Sequence, residues 1–445
     1  VTASTIPTPR PTIYPILAVN FVGALGFSIV LPFLVFLVTR WGGNAVIYGV
    51  MGATYSVFQL IGAPILGRWS DRVGRKKILL LSQIGTLLSW GIFLVALTLP
   101  VHILARVNST VVGAFELTVP LVVLFIARAI DGITGGNVSV ANAYLADITS
   151  DEDRSANFGL MSMSANFGFI IGPALAAVLG AIVSGELLPV LAAFLISAVA
   201  TLIITFTLRD PDPCNIKGAL ESTSVHEVLG GDQKRCYRIE SPVQLTTSEI
   251  LRLPSVGLLL GLQFLVFLAF NFYYIAFPVY AATTLGWSLG QVGLYFAVMA
   301  VLMATVQGPV LSRAGRRFGD ERLVIVGSLL LAMSFVFFIS NNMAVIYGGT
   351  VLLALGNGLM WPSLLAVLSK TTDQQTQGAV QGLADSINAI ASIVGLLVGG
   401  LLFGVIGGAV FLLSAAMTTL VFLLALGWER RSQGLPSRQS VESRS

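Results

Sequence analysis

Charge is what this sequence of 445 residues has least of: only 10% of positions are Asp, Glu, Lys or Arg, against roughly 25% in soluble domains. Hydrophobic residues fill 55% of the chain and the mean hydropathy is +0.87, so the chain lacks the polar surface a water-soluble fold needs. Histidine is nearly absent, with His102 and His226 alone, and cysteine is limited to Cys214 and Cys236. Neither type clusters at metal-ligand spacing, so no metal site and no disulfide is expected. No glycine-rich phosphate cradle followed by lysine occurs, and no G-x-S-x-G elbow. An ATP-driven pump and a membrane hydrolase are therefore unsupported, and the expectation is a protein that is not an enzyme and has no cofactor.

Long apolar runs are what the chain does have. Leu323 to Ser369 is 47 residues without one charge, whereas a single span needs about 20, so this stretch reads as two helices turning at Asn341-Asn342. Continuous apolarity with scattered Gly and Pro favours helices over the alternating strands of a barrel. Twelve spans follow: 13–38, 47–66, 78–99, 119–142, 156–183, 189–208, 255–282, 290–311, 322–340, 345–368, 378–406 and 407–428. The first is too long to read as a cleaved leader. The fold class is an all-α membrane protein of twelve transmembrane helices in two pseudo-symmetric six-helix bundles. The expected divisions are an N-tail (1–12), a first bundle (13–208), a linker (209–254), a second bundle (255–428) and a C-tail (429–445).

An even span number puts both termini on one side, and basic residues decide which. Of the 25 Lys and Arg, 22 fall in the loops and tails shared with the termini and two, Arg40 and Arg106, on the opposite side. The positive-inside rule makes both termini cytoplasmic, in the cell membrane. The pI near 9.1 then reflects topology and anionic lipid headgroups rather than nucleic acid.

The densest charge lies between the second and third spans, in Gly67-Arg68-Trp69-Ser70-Asp71-Arg72-Val73-Gly74-Arg75-Lys76-Lys77. An echo appears 241 positions later, pairing 67/308, 72/313, 74/315 and 75/316, with Asp71 replaced by Ser312. Gly159, Gly172 and Ala176-Ala177 of the fifth span likewise match Gly382, Gly395 and Gly399-Gly400 of the eleventh at an offset of 223. Two related halves imply a site between them near the midplane, worked by rocking one half against the other.

The loop pattern G-x-x-x-D-R-x-G-R-K resembles the signature of the major facilitator superfamily. Arg128-Ala129-Ile130-Asp131-Gly132 in the fourth span resembles that family's intramembrane arginine motif. In the fifth span, Gly159, Gly168, Gly172 and Pro173 resemble the motif of its antiporters, with Ala176-Ala177 where the closing glycine pair usually stands. Tyr55-Ser56-Val57-Phe58-Gln59, Ala63-Pro64, Gly132-Ile133-Thr134-Gly135, Ala143 to Thr149 and Gln377 to Gly382 are similar to tetracycline-type drug:proton antiporters. Those exporters carry aspartates in the first and third spans. Gly23 and Ser89 occupy the matching positions here, which moves coupling to Asp131 or Asp385.

The resemblance implies a secondary transporter exchanging protons for a small amphipathic or drug-like compound, with no metal or cofactor. Partners are the small-molecule substrate, protons and membrane lipids, with a monomer as the working unit. The proton-coupling candidates are Asp131, Arg128 and Asp385, because intramembrane charge is costly and marks function. The expected cavity residues are Asn20, Tyr55, Gln59, Asn166, Gln263, Asn271, Tyr274, Asn357, Trp361 and Asn388, with Tyr273 beside them. The expected cytoplasmic gate comprises Gly67, Asp71, Arg72, Gly74, Arg75, Lys76, Asp147 and Arg154, Asp71 meeting the start of the eleventh span near Gly378. Helix packing falls to Gly159, Gly168, Gly172 and Pro173. Proton-coupled or facilitated uptake of a metabolite, and a receptor or scaffold that does not transport, are the alternatives.

Overall fold

A computed structural model describes residues 13–109, 112–135, 137–149, 154–182, 185–208, 246–371 and 374–433. The first half comprises α1 (Tyr14–Arg40), α2 (Ala45–Val73), α3 (Arg75–Thr98), α4 (Val119–Thr134), α5 (Asn137–Ile148), α6 (Arg154–Ile182) and α7 (Leu187–Thr207). A short α8 (Thr247–Arg252) leads into α9 (Val256–Thr283), α10 (Leu289–Thr305), α11 (Leu311–Phe318), α12 (Asp320–Phe337), α13 (Met343–Lys370), α14 (Gln374–Ile406) and α15 (Val410–Gln433).

Eight helical stretches are long and apolar enough to cross a membrane, and nine with α1, which is bent by 43°. One of them, Gly382–Arg430, contains both α14 and α15. The remaining spans miss on length or charge: α4 has only 16 residues before it breaks into α5, and α12 opens on Asp320 and Glu321. Together these make the expected twelve spans. Apolar side chains on the outer faces, among them Leu88, Leu195, Leu202 and Val336, are exposed, as suits helices whose solvent is lipid.

The halves are built alike. In the first, α1 packs on α6, and α3 on α4 and α7; in the second, α9 packs on α14, and α12 on α13 and α15. Two seams join the halves, α2 against α14 and α6 against α10. Each depends on small residues. A Cβ on Gly400 would lie 2.8 Å from the Ala45 carbonyl and 3.0 Å from Gly49 Cα, and one on Gly293 would lie 2.7 Å from Ala177 Cα. The Ala177 and Gly400 pair anticipated by the 223-residue offset thus occupies equivalent seams.

Several boundaries differ from the sequence expectation. Helix α2 continues through Gly67 to Val73, and the turn comes at Gly74, whose φ of +114° suits glycine alone. In the second half a π-helical turn, Val306–Val310, accommodates Pro309, and α11 carries the basic echo inside a helix that turns at Gly319, φ +77°. The turns Gly74 and Gly319 are 245 residues apart rather than 241, so the echo sits one helical turn earlier than its structural counterpart. The fourth span breaks after Gly135 and resumes as α5 to Ile148, beyond the expected end at 142. The end of the expected linker is helical: Thr246 and Glu249 form a reciprocal capping box on α8.

A β-hairpin between α3 and α4 went unanticipated. β1 (Ile103–Ser109) pairs antiparallel with β2 (Gly113–Thr118). It is tied to the α1–α2 connection: the Glu116 N–H donates to the Gly42 carbonyl at 2.8 Å, the Thr118 hydroxyl to the Trp41 carbonyl at 2.8 Å, and the Asn44 amide to the Val112 carbonyl at 2.8 Å. The hairpin marks one end of the bundle; the loops around Gly74 and Gly319 mark the other, basic end.

Candidate functional site

Between the halves lies a cavity of about 890 Å³. The seam glycines Gly49, Gly293 and Gly400 close it at the hairpin end. Toward the basic end its walls include Asn20, Met163, Gln307 and Gly308, and a Cβ built on Gly67, Gly308 or Gly382 would meet no atom within 4 Å. The described lining thus reaches toward the basic end.

Among the described residues, Arg128 and Asp131 are the charged side chains lining this cavity. They lie three apart on α4, so the helix presents both on one face. Arg128 is 3% exposed, with Nη1 3.6 Å from Asp131 Oδ2. Its guanidinium carbon lies 4.8 Å from the centroid of the Tyr55 ring, a cation–π contact that partly replaces lost hydration. Arg128 Nε has no hydrogen-bond partner. The pair is held by close helix approach: a Cβ on Gly132 would fall 2.5 Å from the Tyr55 carbonyl and 2.8 Å from Phe58 Cβ. Gln59 Nε2 donates to Tyr55 Oη and to the Gly135 carbonyl, each at 3.1 Å, fastening α2 to the break between α4 and α5. This arrangement places an ion pair of no net charge in the wall of a partly apolar cavity.

The structure distributes the other expected cavity residues unevenly. Asn20, Tyr55, Gln59, Asn271, Tyr274, Asn357 and Trp361 all line the cavity. Asn20 also braces α1 on α6, donating to the Met161 carbonyl at 2.8 Å and to Ser164 Oγ at 2.9 Å. Gln263 and Asn388 do not line it; they bond one another at 3.0 Å within the second half. Tyr273 is fully buried among Phe277, Phe335 and Phe338 and shares a hydroxyl hydrogen bond with Tyr295 at 2.5 Å. Helix α9 is apolar nearly all round, so its pattern could not tell the cavity face from the core face. Asp385 is exposed on α14 and lies outside the cavity lining. The Asn166 side chain lies outside the described residues. Gly23 lines the cavity, and Ser89 Oγ donates to the Ala127 carbonyl at 2.8 Å.

Of the gate residues, Arg75 Nε contacts Asp147 Oδ2 at 2.8 Å while Arg75 Nη1 donates to Ser70 Oγ at 2.7 Å. Lys76 Nζ donates to the Thr205 carbonyl at 2.8 Å. These contacts join the ends of α2, α3, α5 and α7 within one half. The side chains of Asp71, Arg72 and Arg154, and Gly378, lie outside the described residues. Gly67 makes no close approach. The packing glycines Gly168 and Gly172 sit against α1, where a Cβ would fall 2.6 Å from the Phe21 carbonyl and 2.9 Å from Ile29 N respectively, and Pro173 lines the cavity inside α6. Gly159 lies outside the described side chains.

Sequence reasoning missed a set on α3 and α7: Gln83, Thr86, Trp90 and Ser197 also line the cavity. The signal was present, since Gln83 and Thr86 interrupt an otherwise apolar span.

The sequence pattern described as Major Facilitator Superfamily matches residues 16–304 and again 259–444. The class E tetracycline resistance protein of Escherichia coli is 28% identical over 399 residues, 88% of each chain. Multidrug resistance protein 1 of Bacillus subtilis (strain 168) is 25% identical over 412 residues, 92% of this chain and 94% of that one. Among solved structures, a D-xylose-proton symporter superimposes with a TM-score of 0.68 at 16% identity, covering 93% of this chain and 97% of that one. With the family pattern matched over 16–304 and 259–444, twelve spans and a cavity between the bundles, the chain belongs to the Major Facilitator Superfamily of membrane transporters, near its tetracycline-type antiporters.

Proposed function

We propose that this chain is a proton-coupled exporter of a small amphipathic, drug-like compound, working by alternating access. One observation carries the proposal: a buried Arg128–Asp131 pair, 3.6 Å apart, in the wall of a cavity whose other described lining is apolar or neutral. The resistance proteins among its relatives support export rather than uptake. We assign the basic end to the cytoplasm from the 22-to-2 bias of Lys and Arg, and we read the cavity as opening to that side.

In the proposed cycle the compound enters from the cytoplasm and settles beside Arg128, Tyr55 and Tyr274. The outer seams Gly49–Gly400 and Ala177–Gly293 then part as the halves rock. A proton arriving from outside neutralises Asp131 and releases Arg128 from its pair, and the difference in preference of proton and compound for the two conformers drives the swing. Asp71 is proposed to close the cytoplasmic end by accepting hydrogen bonds from the free N–H groups at the start of α14. Gly23 and Ser89 supply no carboxylate, so coupling rests on α4. The working unit is proposed to be a lipid-embedded monomer with both termini cytoplasmic.

Vesicle flux tests the direction. In right-side-out vesicles preloaded with a radiolabelled tetracycline or a fluorescent amphipathic dye, an acid exterior is expected to accelerate loss of the compound. Accumulation driven by the same gradient would make the protein a symporter.

A further inference from the structure

The cavity does not stop at the central cleft. It extends behind α1, into the interior of the first bundle, where Gln83, Thr86 and Trp90 of α3 and Ser197 of α7 line it. Helices α3 and α7 are outer helices of this half, packed on each other and on α4 and α1. Glycine on α1 helps make the room. Gly23 and Gly26 both line the cavity, and a Cβ on Gly26 would reach only ordinary contact with Trp90 Nε1, at 4.0 Å.

This lobe contains a buried acceptor without a donor. Gln83 is 2% exposed. Its Nε2 donates to Ser197 Oγ at 2.8 Å and to the Ser197 carbonyl at 3.3 Å. A backbone carbonyl can only accept, so these contacts fix which way round the amide lies. Gln83 Oε1 is then left buried with no partner. Buried polar atoms are rarely left unpaired, and a swing of this side chain toward the lobe it lines would bring Oε1 to an entering donor. On the same face of α3, Trp90 supplies apolar surface two turns further along.

We propose that this lobe is a substrate subsite that takes an apolar arm ending in an N–H or O–H donor, the arm lying against Trp90 and the donor reaching Gln83 Oε1. It deepens the reading of the cavity as a transport site and rests on it. The main cleft holds the ligand beside Arg128, while the lobe selects among amphipathic compounds for those with a neutral donor at one end. Preference is then set partly inside the first bundle, away from the plane where the halves meet.

A matched pair of dyes tests this. Proflavine and acridine orange share one cationic acridine ring, but proflavine carries two primary amines where acridine orange carries dimethylamines that cannot donate. Each is titrated by fluorescence against purified full-length protein in detergent. In Gln83→Leu the proflavine Kd is expected to rise about tenfold, the loss of roughly 1.4 kcal/mol, while the acridine orange Kd stays within about twofold. Gly26→Leu adds bulk to the α1 face of the lobe and leaves Gln83 in place. It is expected to weaken both dyes while elution profile and Tm remain those of the parent, which covers the case in which Gln83→Leu does not fold. Absence of saturable proflavine binding, equal changes for both dyes in Gln83→Leu, or unaltered binding of both in Gly26→Leu would overturn the subsite. Because binding is measured without a gradient, the expected dye selectivity combined with gradient-driven uptake would overturn export and leave the subsite standing.

Discussion

Gly168 and Gly172 of α6 pack on α1, and Gly395 and Gly399 of α14 pack on α9 in the same way; yet the two halves place opposite materials behind that shared frame. Behind α1 lie Arg128, Asp131, Gln83 and an open lobe. Behind α9, its own Tyr273 and Phe277 pack against Tyr295, Phe335, Phe338 and Phe411, with Phe277 and Tyr295 stacked at 4.2 Å. The pairing at the basic end is inverted too. Arg75 at the start of α3 meets Asp147 at the end of α5, whereas Asp320 at the start of α12 meets Lys370 at the end of α13, at 2.5 Å. The two halves keep the same helix contacts while their chemistry diverges: one buries an ion pair beside the cavity, and the other packs an aromatic cluster.

The largest stability effect should come from breaking the buried pair. Arg128→Leu leaves Asp131 unpaired and is expected to cost about 3–5 kcal/mol, read as a fall in Tm of purified protein. Adding Asp131→Asn should recover most of it, because the stranded charge is then gone. Similar losses in the single and double variants would deny that the first half is organised around this pair. In the second half, Phe277→Ala should cost about 3–5 kcal/mol, with no second-site neutralisation able to rescue it. Flux by the surviving folded fraction should keep its dependence on the proton gradient; a changed dependence would place proton sensing in both halves.

A smaller effect is expected at the seams. Gly49→Val inserts bulk against Gly400, where even a Cβ at Gly49 would lie 2.5 Å from the Leu396 carbonyl. The expected outcome is a shift toward the conformer open at the hairpin end, seen as labelling of a cysteine placed at Asn271 by an external impermeant maleimide. Unchanged labelling would show that these seams do not close that end. The inverted pairs should matter less: Asp147→Asn is expected to cost about 1 kcal/mol or less, and Lys370→Ala less again, since Lys370 is largely exposed. Thermal denaturation at low salt would distinguish them, and a larger loss at Lys370 would reverse the comparison.

The smallest effect concerns α8. Hydrogen bonds from the Thr246 backbone and side chain hold the Glu249 carboxyl below its usual range. A depressed carboxylate stabilises above its unfolded pKa, about 4.3, and loses that contribution as pH falls through the folded value. A loss of amide protection in 246–252, relative to intrinsic exchange at the same pH, is therefore expected only in acid, and Glu249→Gln should abolish the pH dependence of that protection. An unchanged pH dependence in that variant would remove Glu249 from the cap.

The twelve spans were legible because lipid demands long apolar runs with internally paired backbone, and Arg128–Asp131 was legible because charge inside such a run is costly. The hairpin was not legible: its strands are short, and its hydrogen bonds to Trp41, Gly42 and Asn44 come from a distant connection. The π-turn at Val306–Val310 was hidden as well, and so was the four-residue shift between the basic echo and its structural counterpart, since the glycines and arginines match at the 241-residue offset. Tyr273 and Gln263 were assigned to the cavity because a uniformly apolar helix such as α9 has no readable face. Gln83 was not legible because no residue of the third span is among the expected cavity residues, whereas the glycines of α1 open the cavity to that helix behind them.

Proteoliposome flux of Asp131→Asn, compared in two modes, tests the central claim most directly. The account predicts that transport driven by an imposed proton gradient is lost while exchange of labelled for unlabelled compound, which needs no proton movement, continues. Gradient-driven transport at the parent rate in Asp131→Asn would contradict it.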